Sequence, residues 1–236
     1  RDVVWTRRLH AELLMNERLP GGWGRMDIAA RQAKGSLECG GDLVLSFLSG
    51  DGSLFLCFGS LAVTGVEGTY HGTKIREALI VLGNALTRGE GPDALLSRLN
   101  HKACAELTDL PENSLSLSVF RFAPGDEFFS CSHAGGEHFA LVEAGRIAEY
   151  ALPSPVLGLK DGVEFPVKRY AFRDATTLVL YSRRLRKHAD TESRFFRSLE
   201  DAAGDIEHRT AKDILASIVA NEALPFDSTL ALFRKA

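Results

Sequence analysis

The stretch DLVLSFLSGDGSLFLCFGS, from Asp42 to Ser60, constrains the fold more than any other part of the chain. Two apolar runs flank Gly50-Asp51-Gly52, the pattern of two strands joined by a tight turn. Asp42 stands at the front of the first strand and Ser60 just past the end of the second. Any fold proposed for the chain has to seat this hairpin in a sheet.

The rest of the pattern places more elements around it. RDVVWTRRLHAELLMNERLP reads as a helix, with Trp5, Leu9 and Leu13 four apart on one face and Pro20 ending the run. MDIAARQ reads as a strand. From Thr69 to about Thr87 the apolar residues Ile75, Ala78, Leu79, Leu82 and Leu86 recur on one helical face, and Pro92 opens another helix through Leu99 and Ala103. Strands dominate between Ser114 and Tyr150, with turns at Pro124-Gly125-Asp126 and Ala144-Gly145-Arg146. EFPVKRYAF and TTLVLYS are further strands, helices follow near Thr191–Ala203 and Thr210–Ala220, and DSTLALFRK closes the chain as a strand. The order predicts an α+β protein of antiparallel sheets covered by helices rather than a βαβ nucleotide fold.

Composition narrows the function. At 236 residues, 45% of them hydrophobic, the chain can bury a core without staples. A net charge of −3 and a pI near 6.2 give no nucleic-acid surface. No apolar run reaches the roughly 18–20 residues that span a membrane, and no signal peptide is visible. Cys39, Cys57, Cys104 and Cys131 form no C-x-x-C pair and lie in apolar settings, so free buried thiols and a cytoplasmic location are expected. The chain starts at Arg1 without Met, which leads us to expect a piece of a longer protein.

Several short motifs then point one way. LPGGWGRMDIAARQAKGSLECGGDL resembles a stretch ending in V-G-G-D, GSLAVTGVEG stands for G-D-V-S-G-K-G-x-x-A, and HAGG at His133–Gly136 for N-A-G-H. PSPVLGL matches G-x-P-L-G-L, LVLYSRRL matches L-L-L-Y-T-D-G-V, and FDST at Phe226–Thr229 matches D-D-I-T. In these motifs nearly the whole chain resembles the SpoIIE-like branch of the metal-dependent serine/threonine protein phosphatases (the PPM, or type 2C, superfamily). The resemblance implies an αββα sandwich of two packed antiparallel sheets flanked by helices. It also implies a pair of Mg²⁺ or Mn²⁺ ions that activate water against a phosphoserine or phosphothreonine.

Against that pattern the acids are thinned. The resemblance makes Asp42 a retained, vestigial metal ligand, while Ser60, Arg183 and Phe226 stand where acids are expected, and Leu45 replaces another acid just after V-G-G-D. Two dications about 4 Å apart repel by roughly 4 kcal/mol even in water, so several carboxylates must neutralise them. Asp42 alone does not, Arg183 adds a fixed positive charge, and Phe226 removes a ligand. We therefore expect a catalytically degenerate domain with no cofactor, used as a regulatory, protein-binding module in bacterial signalling. The alternative is an active Mg/Mn-dependent phosphatase with shifted ligands at Asp42, Glu38 and Asp227.

The remaining expectations are narrower. Asp42 read alone is an ordinary turn residue, Ser60 a small residue beside Gly59, Arg183-Arg184 a solvated pair and Phe226 a filler of core space. As a bolder reading, Arg183 pairs with Asp42 and locks the cleft or, alternatively, Arg183 and Arg184 form an anion site. His71, His101, His133 and His138 match no metal spacing and are read as surface or satisfied histidines. Gly40-Gly41 and Gly135-Gly136 are read as tight turns. The expected division is a contact helix over 1–20 and a phosphatase-fold domain over 21–236. The resemblance implies a protein partner, of the anti-anti-sigma type. The Trp5/Leu9/Leu13 stripe serves a homodimer or upstream-sensor contact or, equally, docks on its own domain.

Overall fold

The computed structural model describes residues 19, 23–31, 41–63, 65–106, 115–135, 138–151, 153–173, 176–182, 185, 189–218 and 228–234. The strands are β1 (Arg25–Arg31), β2 (Asp42–Leu48), β3 (Leu54–Leu61), β4 (Leu115–Phe122), β5 (Phe128–Ala134), β6 (His138–Glu143), β7 (Arg146–Ala151), β8 (Val167–Ala171), β9 (Thr177–Tyr181) and β10 (Ser228–Arg234). The helices are α1 (Gly65–Asn84), α2 (Pro92–Glu106), α3 (Ala189–Ala203) and α4 (Ala211–Ile218). One sheet runs β2-β3-β4-β5-β8 and the other β1-β10-β9-β6-β7. Every recorded pairing is antiparallel.

Apolar residues on both faces of the central strands produce this layering. Every residue of β3 is buried. Its Phe55, Cys57 and Leu61 pack with Ile75 and Leu79 of α1 and Leu95 and Leu99 of α2. The alternate residues Leu54, Leu56 and Phe58 face the other sheet with Phe120, Phe129, Phe139 and Phe233. On the far side, Val179, Tyr181, Leu230 and Leu232 pack under Phe195 and Leu199 of α3 and Ile214 of α4. Three apolar layers thus alternate with two sheets, the expected αββα sandwich. The long unbroken apolar runs are those of strands buried on both faces.

Small polar groups fix the corners. At the hairpin tip, Asp51 Oδ1 accepts from the Ser49 hydroxyl at 2.7 Å and the Ser53 N–H at 3.0 Å, and Asp51 Oδ2 accepts from Arg121 at 2.9 Å. These bonds, the Ser49 hydroxyl first among them, hold the Asp51 carboxyl well below the usual range. Gly52 takes φ +79° in that turn. Asp27 of β1 caps α4 from a distance, accepting from the Ala211 N–H at 2.7 Å. Asn100 of α2 accepts from Gly158 N–H and donates to the Lys160 carbonyl, both at 2.9 Å, so the segment before β8 is tied to the helix.

The structure departs from the sequence reading in detail. α1 starts at Gly65, four residues before the predicted Thr69, and ends at Asn84, so Leu86 is buried just beyond it. Cys57 and Cys131 are buried free thiols as expected, with burial pushing Cys131 up to about 12. Cys104 is only half-buried, on a helix near Asp161. The predicted N-terminal helix with Trp5, Leu9 and Leu13, and also Cys39, lie outside the described residues. Among the described residues no helix is long and apolar enough to cross a membrane.

Candidate functional site

Strand register gathers polar residues at one end of the sandwich. On the face of the first sheet that looks inward, the aligned partners run Asp42, Ser60 and Ser116 across β2, β3 and β4. The next row inward is Val44, Phe58, Ser118 and His133. In the opposite sheet, Ala231, Leu180 and Phe139 form a row, and Thr229 and Ser182 lie one step beyond it. Ser182 N–H donates to the Thr229 carbonyl at 2.9 Å, and Thr229 N–H donates to the Ser182 hydroxyl at 3.1 Å. Phe122 meets Phe233 at 4.8 Å between ring centres, while His133 meets Phe139 at 5.6 Å. The rows of the two sheets therefore advance in the same direction. Asp42, Ser60 and Ser116 lie at the same end as Ser182 and Thr229, and all five are buried.

Asp42 is 1% exposed, and the Ser60 hydroxyl donates to its Oδ1 at 2.8 Å. Ser116 donates to the Ser60 carbonyl at 3.3 Å. Glycines let the backbone close around this corner. A Cβ on Gly41 would stand 2.6 Å from the Val63 carbonyl oxygen, and one on Gly68 at the start of α1 would meet the same atom at 2.6 Å. The Leu61 N–H donates to the Gly41 carbonyl at 2.9 Å. Behind the rim, His133 is wholly buried, its Nδ1 2.6 Å from the Ser118 hydroxyl. Burial first, and His138 second, push the His133 ring down to about 4.

The structure thus brings together two of the residues singled out in the sequence, Asp42 and Ser60. Arg183, Arg184, Phe226, Glu38 and Asp227 lie outside the described residues. His101 is exposed and 2.8 Å from Asp161, and His138 lies 3.8 Å from Glu149. His71 and His133 are buried, and His71 Nδ1 and His133 Nε2 have no hydrogen-bond partner among the described residues, so these two are not the satisfied histidines expected. Gly135 is the turn glycine expected, at φ +80°. Sequence reasoning missed Ser116, Ser118, Ser182 and Thr229. The signal for Ser116 and Ser118 was the alternation of serine with leucine in SLSLSVF, a period-two polar face in a strand buried on both sides; Ser182 and Thr229 carried no such signal.

A pair of dications is a demanding test of this corner. Asp42 supplies one carboxylate, while Ser60 supplies a hydroxyl that already donates to it. Among the described residues, no three His, Cys, Asp or Glu side chains come together as a metal group. These residues do not fit a two-metal centre by themselves.

The chain is similar to known proteins in sequence and in fold. The family profile of stage II sporulation protein E (SpoIIE) matches residues 68–227. No curated protein matches the chain. Among solved structures, the RsbU and RsbW domains of a Mycobacterium tuberculosis protein superpose with a TM-score of 0.71 at 22% identity, over 91% of this chain and 61% of that one. The chain therefore spans about three-fifths of that relative. The SiaA-PP2C domain of Pseudomonas aeruginosa gives 0.72 at 15% identity, over 99% and 94%. RsbX in complex with magnesium gives 0.62 at 12% identity, over 92% and 98%. That last structure overturns the cofactor-free expectation. A protein of this fold holds magnesium, so the expectation of none is withdrawn.

Proposed function

The chain belongs to the SpoIIE family, and from that premise we propose that it is a catalytically degenerate serine/threonine phosphatase domain serving as a protein-binding regulatory module in bacterial signalling. One observation carries the reading. Ser60 is the direct cross-strand partner of Asp42 and donates a hydrogen bond to it. By the family resemblance a second metal-binding acid would belong at that position. A hydroxyl there leaves, among the described residues, one carboxylate to balance two dications that repel by about 4 kcal/mol or more. The proposal concerns turnover, and it leaves room for a single ion at Asp42.

The relatives support a protein partner. One of them is solved with RsbU and RsbW domains together, and another belongs to the bacterial stressosome. By analogy a phosphorylatable protein of the anti-anti-sigma type is the partner, held rather than dephosphorylated. A location in the cytoplasm is proposed on the buried free thiols Cys57 and Cys131, which suit a reducing compartment.

The test is turnover of a phosphoserine peptide with saturating Mn²⁺, beside a pull-down with the candidate partner. We expect the rate to stay at the no-enzyme background while the partner is retained. Turnover that disappears in Asp42→Ala would establish instead the active enzyme with shifted ligands.

A further inference from the structure

The geometry points to His133 as an acid-sensitive latch at the polar end of the sandwich: its neutral ring ties β5 to β4, and protonation releases that end. The ring is wholly buried on the inward face of the first sheet. It lies flat against Phe139, with an interplanar angle of 8°, and edge-on to Phe120 at 5.7 Å. Its one hydrogen bond is the 2.6 Å contact with Ser118, and Nε2 has no partner among the described residues. A charged imidazolium would need acceptors on both nitrogens, and the aromatic walls offer none on the Nε2 side.

Among the described residues, the surrounding groups do not rescue the charge. His138 of β6 is the ionisable group that acts on the ring electrostatically, and it disfavours a second positive charge. Glu149 of β7 lies 3.8 Å from His138. Cys131 of β5 and Tyr170 of β8 have both been pushed up to about 12 and stay neutral, and Tyr150 of β7 stacks on the far face of Phe139. Asp42 is one row away, on the far side of β3 and β4, with Ser60 on its Oδ1. The helices cover the outer faces of the two sheets.

The latch is coupled to the rim. Two residues beyond His133, Gly135 N–H donates to the Pro155 carbonyl at 2.9 Å, and a Cβ on Gly135 would touch Ser116 at 3.0 Å. Loss of the Ser118–His133 bond therefore loosens the row that carries Ser60 and Asp42.

The sign follows from linkage. The unfolded or released ring binds a proton near 6.5 and the latched ring near 4, so the released state holds more protons between those values. The latch is at full strength above about pH 6.5, weakens as pH falls, and at pH 5 its opening constant is raised by about 30-fold. NMR of the seven histidine rings in the intact chain should show the His133 ring still neutral at pH 5. Hydrogen exchange at pH 5 should quicken at Ser116–Ser118 and His133–Gly135 more than in β2–β3. His133→Asn, which keeps a polar group of similar reach but does not titrate, should lose most of that pH dependence. Seven rings that all titrate above pH 6, or equal acid sensitivity in His133→Asn, would overturn the latch. The ring titration decides the question if the variant fails to fold.

Discussion

At the scale of single residues, the candidate site turns on one exchange, a hydroxyl for an acid at Ser60. Ser60→Asp would set two carboxylates side by side at a buried cross-strand position. Without metal they repel, and the bond to Asp42 Oδ1 is lost, at a cost of about 1–3 kcal/mol. For a chain of this size each kcal/mol lowers the melting temperature by about 2–4 °C. Mn²⁺ binds only the native arrangement and should restore the loss in proportion to its free concentration. Melting Ser60→Asp in EDTA and in millimolar Mn²⁺ checks this. A variant that melts at the same temperature in both would mean that position 60 does not face a metal. Asp42 and Ser60 were legible as a pair from sequence, because strand spacing fixes which residues meet across a hairpin. That Ser182 and Thr229 lie at the same end as Asp42 was not legible, because it depends on how one sheet lies over the other.

At the scale of elements, β1, β2, β3, β9 and β10 were read to within about two residues, β4–β7 only as one strand-rich run, and β8 and α1 were started three and four residues from their observed starts. A hairpin buried on both faces advertises itself by apolar length, and Gly50-Asp51-Gly52 marked its turn. The start of α1 was misplaced because Gly65 and Gly68 count against a helix by propensity. Tertiary contact explains them: Gly68 passes the Val63 carbonyl so closely that a Cβ would stand 2.6 Å from the oxygen. Propensity alone would make Gly68→Ala stabilising by about 1 kcal/mol. The contact with backbone reverses the sign, and we expect Gly68→Ala to destabilise by about 1–3 kcal/mol. Gly204→Ala, with nothing within 4 Å of the added Cβ, is the control and should be nearly neutral. Urea midpoints of the two variants against the parent measure both. A stabilised Gly68→Ala would show that α1 shifts freely at its first turn.

At the scale of the whole molecule, the question is whether three apolar layers make one cooperative unit. Each sheet serves two layers: Phe58 and Phe120 face inward from the same strands whose Phe55 and Val119 face α1 and α2. In the second sheet, Leu180 faces inward while Val179 and Tyr181 lie under α3. A helical layer that melted alone would expose the outer faces of strands whose inner faces remain packed, leaving a half-buried sheet with its apolar side in water. That state has little to stabilise it, so the layers should unfold together even though the chain is longer than the usual two-state domain. Two truncations probe opposite ends of the stack. Phe139→Ala empties the inner layer, where the ring meets Phe120, Phe129, His133, Tyr150 and Tyr170. Leu199→Ala empties the layer under α3. Each should cost about 2–5 kcal/mol, and in each the helical signal and the near-ultraviolet aromatic signal should fall at one shared midpoint. If Leu199→Ala split the transition, with helix lost before the aromatic core, the layer under α3 would be a separate unit and the single-domain reading would fail.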